Sequence, residues 1–410
     1  MSLKKLPSSD YSDDECTART SVSTFASDRC NSVTGSDRRW GGKGNAHDRA
    51  TALFPYEPTE SPVAKEALES LRERLSDRLK TTTGGAAGSG TLRLVSMKEC
   101  FSMRILTQFY EELMIPNFPL DEERDDLDDW LYYLDPSDTS PGFDMSDYPS
   151  MDVLILCHTA DDENNTTTII GGIAFEYYPL CQLGLLSYMV VSDQFRRLGI
   201  LATLHPVFCE ALQALHQHSG QTNTKIRAIV AETNTTNAGD VPPEEIRKRH
   251  EILYRLGYRL LEFPYVQPPL ATDVQSFDEI MLLVFLGSVT DTDASPSEQE
   301  AAEGAVGDKK INNQASAIRT KCGSLQTQVL FQFVLEFYHS VFGRESNQFQ
   351  DHWYYRLVTW YAPRNPITKI QMDLPWVDVT PKLLQEMEQD ELQHQNIDEE
   401  NSSISIKCTQ

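Results

Sequence analysis

The chain has 410 residues, 40% of them hydrophobic, and sets 61 acidic against 36 basic side chains for a formal net charge of -25. That length allows two or three domains of ordinary size, and the apolar share, slightly below the globular norm, leaves part of the chain outside a packed core. So acidic a surface repels phosphate backbones, which argues against nucleic acid and leaves room for a basic peptide or polyamine, although most of the acid is read as solvating tails.

The first 61 residues are rich in Ser, Asp, Thr, Arg and Gly, bury too little to offset ordering entropy, and read as a disordered tail. The opening MSLKKLPSSDYSDDEC has no apolar h-region, and no run reaches the ~18 apolar residues that span a bilayer. No membrane association is expected. Eight cysteines are scattered without a CxxC pair, so neither a disulfide framework nor a zinc knuckle is supported. A soluble protein in a reducing, intracellular and cytoplasmic setting fits that usage.

Residues 62–80 place Ala64, Ala67, Leu68, Leu71, Leu75 and Leu79 on one helical face behind Pro62, so an amphipathic helix is predicted that docks on its neighbour. TTTGGAAGSG follows as a flexible linker, closing the segment at residue 90. From Thr91 to Gly287 the pattern alternates. A short strand in TLRLV leads to a helix carrying Phe101, Ile105, Leu106, Phe109, Tyr110 and Leu113. A second helix is read over 117–134, its early acids suiting the helix N-terminus. Strands are predicted at 151–159, 169–178, 183–191, 225–233 and 279–287, with helices after Leu198 and over 243–257. The fold class is therefore α/β, with a mixed sheet. Residues 288–316 read as a linker, 317–385 as a small α-helical C-terminal extension dense in aromatics, and 386–410 as an acidic, loose tail.

The informative stretch is LGLLSYMVVSDQFRRLGILATL, residues 183–204, in which a strand meets a short loop and then a helix. Such an end offers unpaired amides and a favourable dipole to an anion. Gly199 would let a pyrophosphate approach the backbone without a Cβ in the way, and Arg196 and Arg197 add charge at the rim. Physically this is a diphosphate cradle.

Arg196-Arg197-Leu198-Gly199-Ile200-Leu201 resembles the Q/R-x-x-G-x-G/A loop of the GNAT superfamily of acetyl-CoA-dependent N-acetyltransferases. The ending LYRLGY, with Gly257 before Tyr258, resembles a later motif of that family, and GGIAFEYYPLCQLGLLSYMVV and LGYRLLEFPYVQPPL resemble a bacterial-type subgroup. The likeness covers about half the chain, 91–287, and implies a mostly antiparallel central sheet flanked by helices, with acetyl-CoA as co-substrate and no metal. It implies donor contacts from Met189, Val190 and Val191 on the strand, from Arg196, Arg197, Leu198, Gly199, Ile200, Leu201 and Ala202 in the loop, and from Asn234. Leu201 departs from the family's small residue.

Acyl transfer from a thioester to an amine needs a base for the amine, a polarised carbonyl and a proton for the thiolate. Glu232, at the end of a strand, is the first candidate base and Glu176 its rival. Tyr254 is the candidate acid, but it lies three residues before Gly257 where the family's tyrosine lies four before, a place held here by Leu253. No HExxH pattern occurs, and His205, one turn into the helix, is a further possible donor contact. The acceptor reads as a small-molecule or peptide amine. The alternative is a non-catalytic GNAT-like module that binds CoA or a protein partner.

Overall fold

In the computed structural model, which describes residues 56–82, 90–119, 123–134, 149–160, 166–221, 224–236, 238, 241–269, 279–287, 324–342 and 347–407, the described strands form one mixed sheet. They are β1 (Gly90–Ser96), β2 (Ser150–Ala160), β3 (Thr167–Tyr178), β4 (Leu183–Val191), β5 (Ala228–Asn234), β6 (Tyr258–Leu261), β7 (Ile280–Phe285), β8 (Ser324–Gln326) and β9 (Ile367–Gln371). Their spatial order is β1-β2-β3-β4-β5-β7-β6-β9-β8. Neighbours are antiparallel except β4 and β5, which run parallel. The helices are α1 (Pro62–Thr82), α2 (Met103–Phe109), α3 (Ile115–Asn117), α4 (Leu127–Leu134), α5 (Ile200–His218), α6 (Pro243–Leu256), α7 (Thr327–Phe342), α8 (Gln348–Asp351), α9 (Trp353–Arg364) and α10 (Thr380–Lys407). A π-helical turn, Tyr110–Met114, joins α2 to α3. All of these belong to one unit, Arg49–Gln410.

The strands are apolar along both faces because both are covered. Leu154 and Leu156 of β2, Ile229 and Ala231 of β5, and Met281 and Leu283 of β7 point into a core shared with α1, α5 and α6. Their sequence neighbours point the other way. Val153 and Ile155 meet α2 and α4, while Ala228, Val230, Leu282 and Val284 meet α7, α9 and α10. The second face thus carries two separate helical groups, one over β1–β4 and one over β5–β9 that also covers Tyr178, Leu183 and Leu185 of β3 and β4.

Helix α1 starts where the Ser61 Oγ accepts the Ala64 amide at 3.0 Å, an ordinary N-cap. Its Ala64, Ala67, Leu71, Leu75 and Leu79 are all buried in the core it shares with α5. The short turn before it is fixed as well, since the Tyr56 hydroxyl donates to the fully buried Asp152 at 2.5 Å.

Several expectations need correction. Of the helix read over 117–134, the described residues are helical over Leu127–Leu134 and at Asn117, the last residue of α3, while Glu123 to Asp126 form an irregular approach. The C-terminal extension is not purely helical. Through Leu260↔Gln371 and Leu261↔Ile370, β9 joins the sheet, and β8 follows it. ITKIQ alternates exposed and buried residues over only five positions, too short a run to register as periodicity. Strand β6 is as short and was hidden in the LGYRLL motif. The segment from Glu386, expected to be loose, continues helix α10 to Lys407. Met387 is buried, the Trp360 Nε1 donates to Asp390 at 2.9 Å, and Arg356 and Arg364 pair with Glu391 and Asp390. Acid that solvates a tail in the sequence reading here meets cations from α9. Most of the expected N-terminal tail (1–55), part of the Gly-rich linker (83–89) and the linker 288–316 lie outside the described residues. No described helix is long and apolar enough to cross a membrane.

Because Leu75 is fully buried between α1 and α5, Leu75→Ala should cost about 2–5 kcal/mol, read from urea denaturation. A loss below about 0.5 kcal/mol would mean that α1 is not part of the core.

Candidate active site

Strands β4 and β5 pair over only four positions, from Leu183↔Ala228 to Leu186↔Ala231. Beyond these, β4 stays with β3 as far as Gly171↔Val191, and β5 stays with β7 as far as Asn234↔Ile280. The two strands part and open the middle of the sheet. A bulge marks the point of divergence, since Phe175 pairs with Leu186 and Ala174 with Tyr188, leaving Ser187 unmatched. A bulge bends its strand and adds twist. It also resets which side chains face which way, so Tyr188 and Val190 join the α2–α4 core. Met189 and Val191 face α1 and α5 instead.

On the α5 side, β4 runs into a 3-10 turn, Asp193–Phe195, that plugs Phe195 into the core. Arg197 and Gly199 then take left-handed backbone angles, φ 68° and 71°, and Gly199 is the residue before α5. The first helical bond runs from the Thr203 amide to the Gly199 carbonyl at 3.1 Å. The amides of Gly199, Ile200, Leu201 and Ala202 therefore project from the helix end without intrahelical partners. Arg196 anchors this loop, with its Nε donating to the Val191 carbonyl at 3.2 Å and its Nη2 to Asn117 Oδ1 at 2.7 Å. It also pairs with Asp193. Arg197 is exposed and carries the loop's outward charge.

One expectation about this loop changes. A Cβ on Gly199 would stand 2.6 Å from the Arg74 Nη1 of α1. The space left by the missing side chain is filled by that guanidinium, which donates to the Leu198 carbonyl at 2.8 Å and the Thr203 Oγ1 at 2.5 Å. Glycine is needed here for its positive φ and for Arg74.

On the opposite face, over the parting of β4 and β5 and between the two helical groups, lies a cleft of about 90 Å³. That is room for several waters or a small polar head. Its floor is Glu176, Leu185, Ser187 and Glu232, with Phe118 and Asp125 on one wall and Phe337 and Gln267 on the other. Four carboxylates thus line it, Glu123, Asp125, Glu176 and Glu232. Glu176 accepts the Tyr178 hydroxyl at 2.6 Å and the Ser187 hydroxyl at 2.9 Å. Glu232 accepts the Tyr265 hydroxyl at 2.5 Å and Gln267 Nε2 at 3.1 Å. Asp125 accepts Trp130 Nε1 at 3.3 Å. Its amide donates to the Tyr188 hydroxyl at 3.0 Å and its carbonyl accepts the Tyr110 hydroxyl at 2.6 Å.

Burial is the main reason that Glu232 is pushed up to about 7, with Glu176 and Asp125 adding to it against the Tyr265 hydrogen bond. Asp125 is likewise raised to about 7 by burial and by Glu176. Glu176 is raised by burial, opposed by its two hydroxyl donors. Arg249 is the one cation among the described residues of the lining, and it donates to Asn234 Oδ1 at 3.0 Å. No group of three His, Cys, Asp or Glu side chains suited to a metal ion occurs among the described residues.

Of the residues expected from sequence, Glu232, Glu176 and Asn234 share the cleft, and the loop from Arg196 to Ala202 stands on the other side of the parted strands. Tyr254 does not join them. It packs with the α1 and α5 core, its ring 3.8 Å beneath the Arg259 guanidinium, which also donates to the Tyr254 carbonyl at 2.9 Å. Leu253, at the family's tyrosine position, is buried. His205 is a core histidine, 3.1 Å from the Tyr258 hydroxyl and lowered to about 4 by burial. The sequence reading missed Asp125, Tyr188, Gln267 and Phe337 as cleft residues and Tyr265 as the hydroxyl donor to Glu232. The hydroxyl and amide partners come from distant segments, and Asp125 stood among the early acids read as suiting the N-terminus of the helix over 117–134.

No family model matches the chain, and no curated protein matches it. Among solved structures it is similar to a Bacteroides thetaiotaomicron protein assigned to the GNAT family of acetyltransferases, at 19% identity over 52% of this chain and 93% of that one, with a TM-score of 0.31. It is also similar to nourseothricin acetyltransferase, at 14% identity over 32% of this chain and 64% of that one, with a TM-score of 0.21. At such distances the chemistry has to be read from the site's own residues.

The raised carboxyls have a consequence for stability. Glu232 and Asp125 hold protons up to about 7 in the folded state and release them near 4 when unfolded. Their contribution is therefore complete below about pH 4 and is lost as pH rises through 7. Glu232→Gln should flatten the fall in melting temperature between pH 5 and 8 and raise it at pH 8. An unchanged slope would show that Glu232 ionises as freely as it does in water.

Proposed function

We propose that this protein is an N-acyltransferase that moves an acetyl group from acetyl-CoA to an amine by direct attack in a ternary complex. One observation carries the reading: β4 and β5 separate between a helix N-terminus able to seat a diphosphate and a cleft lined by carboxylates. The fit to the donor rests on the unbonded amides of Gly199–Ala202, where the dipole also favours the anion. A pantetheine-like arm would lie along the free edge of β4, at Met189 to Val191, whose strand has no β5 partner there. The thioester would then reach the cleft through the opening.

The acceptor approaches from the cleft. An amine arrives mostly as ammonium, and the acidic lining favours its entry. Glu232 removes the proton, either directly or through water, and a base near 7 suits that task at neutral pH. The amine nitrogen attacks the carbonyl carbon, the carbon–sulfur bond breaks with its electron pair leaving on the thiolate, and the second proton that the nitrogen sheds to become an amide balances the one delivered to the sulfur. Tyr188, which lines the cleft, is the acid we assign to that thiolate, a role for which Tyr254, packed in the α1 and α5 core, is badly placed. Glu176, bonded to Tyr178 and Ser187, holds the acceptor's charge.

Calorimetric titration with acetyl-CoA should show binding, weakened at least about tenfold in Gly199→Leu, which strains a positive φ and collides with Arg74. Glu232→Gln should keep donor binding while free thiol release with an amine panel falls roughly 10²–10⁴-fold. A folded sample that ignores millimolar acetyl-CoA would remove the donor from the proposal. Donor binding without thiol release would instead favour a non-catalytic module.

A further inference from the structure

The element that orients Glu232 is the irregular segment after β6. Tyr265 and Gln267 each donate to a different oxygen of Glu232, at 2.5 Å and 3.1 Å. Tyr265 is 1% exposed, so its hydroxyl has no competing water and its proton is committed to the carboxylate. The main chain that carries these two donors is held by the C-terminal segment. Tyr361 of α9 donates to the Glu262 carbonyl at 2.6 Å, Tyr354 of α9 to the Pro264 carbonyl at 2.9 Å, and Tyr338 of α7 to the Val266 carbonyl at 3.0 Å. Thr380 Oγ1 accepts the Tyr265 amide at 3.1 Å, and the Lys369 carbonyl accepts the Glu262 amide at 2.8 Å. Alternate carbonyls along one extended strip are each capped by a tyrosine.

We propose that Tyr265 is a positioning residue for Glu232, and that the tyrosines of the C-terminal helices hold it in place by clasping residues 262–266. The aromatic C-terminal extension then has a role in the site. It completes the apolar face of the sheet, and it also fixes the segment from which Tyr265 and Gln267 reach Glu232. The proposal rests on the reading of Glu232 as the base, but its physical content concerns the carboxylate's ionisation and is measurable without turnover.

The geometry implies a direction. A hydroxyl donated to a carboxylate favours the charged form, so it counters the burial and the neighbouring acids that disfavour it. Removing the hydroxyl without removing the ring leaves those opposing influences alone. Tyr265→Phe should therefore raise the carbon-13 titration midpoint of Glu232, assigned by its absence in Glu232→Gln, by roughly one unit. The ascending limb of kcat/KM against pH should move by the same amount, with activity recovered at high pH and acetyl-CoA affinity unchanged within about twofold. Tyr354→Phe, which touches neither Glu232 nor the cleft, should move the midpoint in the same direction by less.

An unmoved midpoint in Tyr265→Phe overturns the proposal. An unmoved midpoint in Tyr354→Phe, with a lowered melting temperature, overturns the clasp and leaves those tyrosines a role in stability only. A midpoint that moves while the kinetic limb does not supports the positioning and removes Glu232 as the base, so the two readings fail separately.

Discussion

Every part of the candidate site depends on how far β4 and β5 are hydrogen-bonded. Four paired positions keep the sheet continuous, and beyond them each strand gives its main-chain groups to its other neighbour, so none of the separation is bought with broken ladders on β3 or β7. The bulge at Ser187 makes this affordable in conformational terms, because one unmatched residue supplies both the bend and the reversal of side-chain direction. A sheet paired to its ends here would put the α5 loop and the carboxylate cleft on two sealed faces.

The cleft exists because the second face of the sheet is covered by two helical groups and not by one. The α2–α4 group ends in the irregular Glu123–Asp126 approach, and the α7–α10 group begins beyond Phe337 and Gln267. Between them Glu176, Glu232 and Asp125 are drawn partly out of water, at a cost that their hydroxyl and amide donors offset only in part. That balance leaves Glu232 and Asp125 near 7. A carboxylate so placed binds or moves protons in the neutral range, where an ordinary surface glutamate is fully ionised.

The helix end on the other face shows the same economy of means. Gly199 is required by its backbone angle, yet the room it leaves is taken by Arg74 of the amphipathic helix, which donates to the carbonyl of Leu198, 124 positions further along the chain. Helix α1 is thus more than a cover for apolar surface, since it also braces the turn from which the free amides project. Arg196 ties the same turn to Asn117 at the end of α3, so the loop touches both helical layers.

Apolar runs at 151–159, 169–178 and 183–191 were long enough to announce central strands, and the spacing of Ala64, Ala67, Leu71, Leu75 and Leu79 announced a helix with one buried face. The loop at Arg196–Ala202 was legible because strand, glycine and helix start are contiguous. Strands β6, β8 and β9 were not, since three to five residues carry too little periodicity to outweigh the helix-rich composition around them. Nor could spacing show that Tyr254 lies across the sheet from Glu232, that Asp125 turns inward, that Tyr265 meets Glu232, or that Tyr354 from the C-terminal segment holds the main chain beside it. Local pattern fixes which residues form an element and which face is apolar. Where two strands stop pairing, and which distant hydroxyl meets which carboxylate, is decided by long-range packing, and no local interval in the chain encodes it.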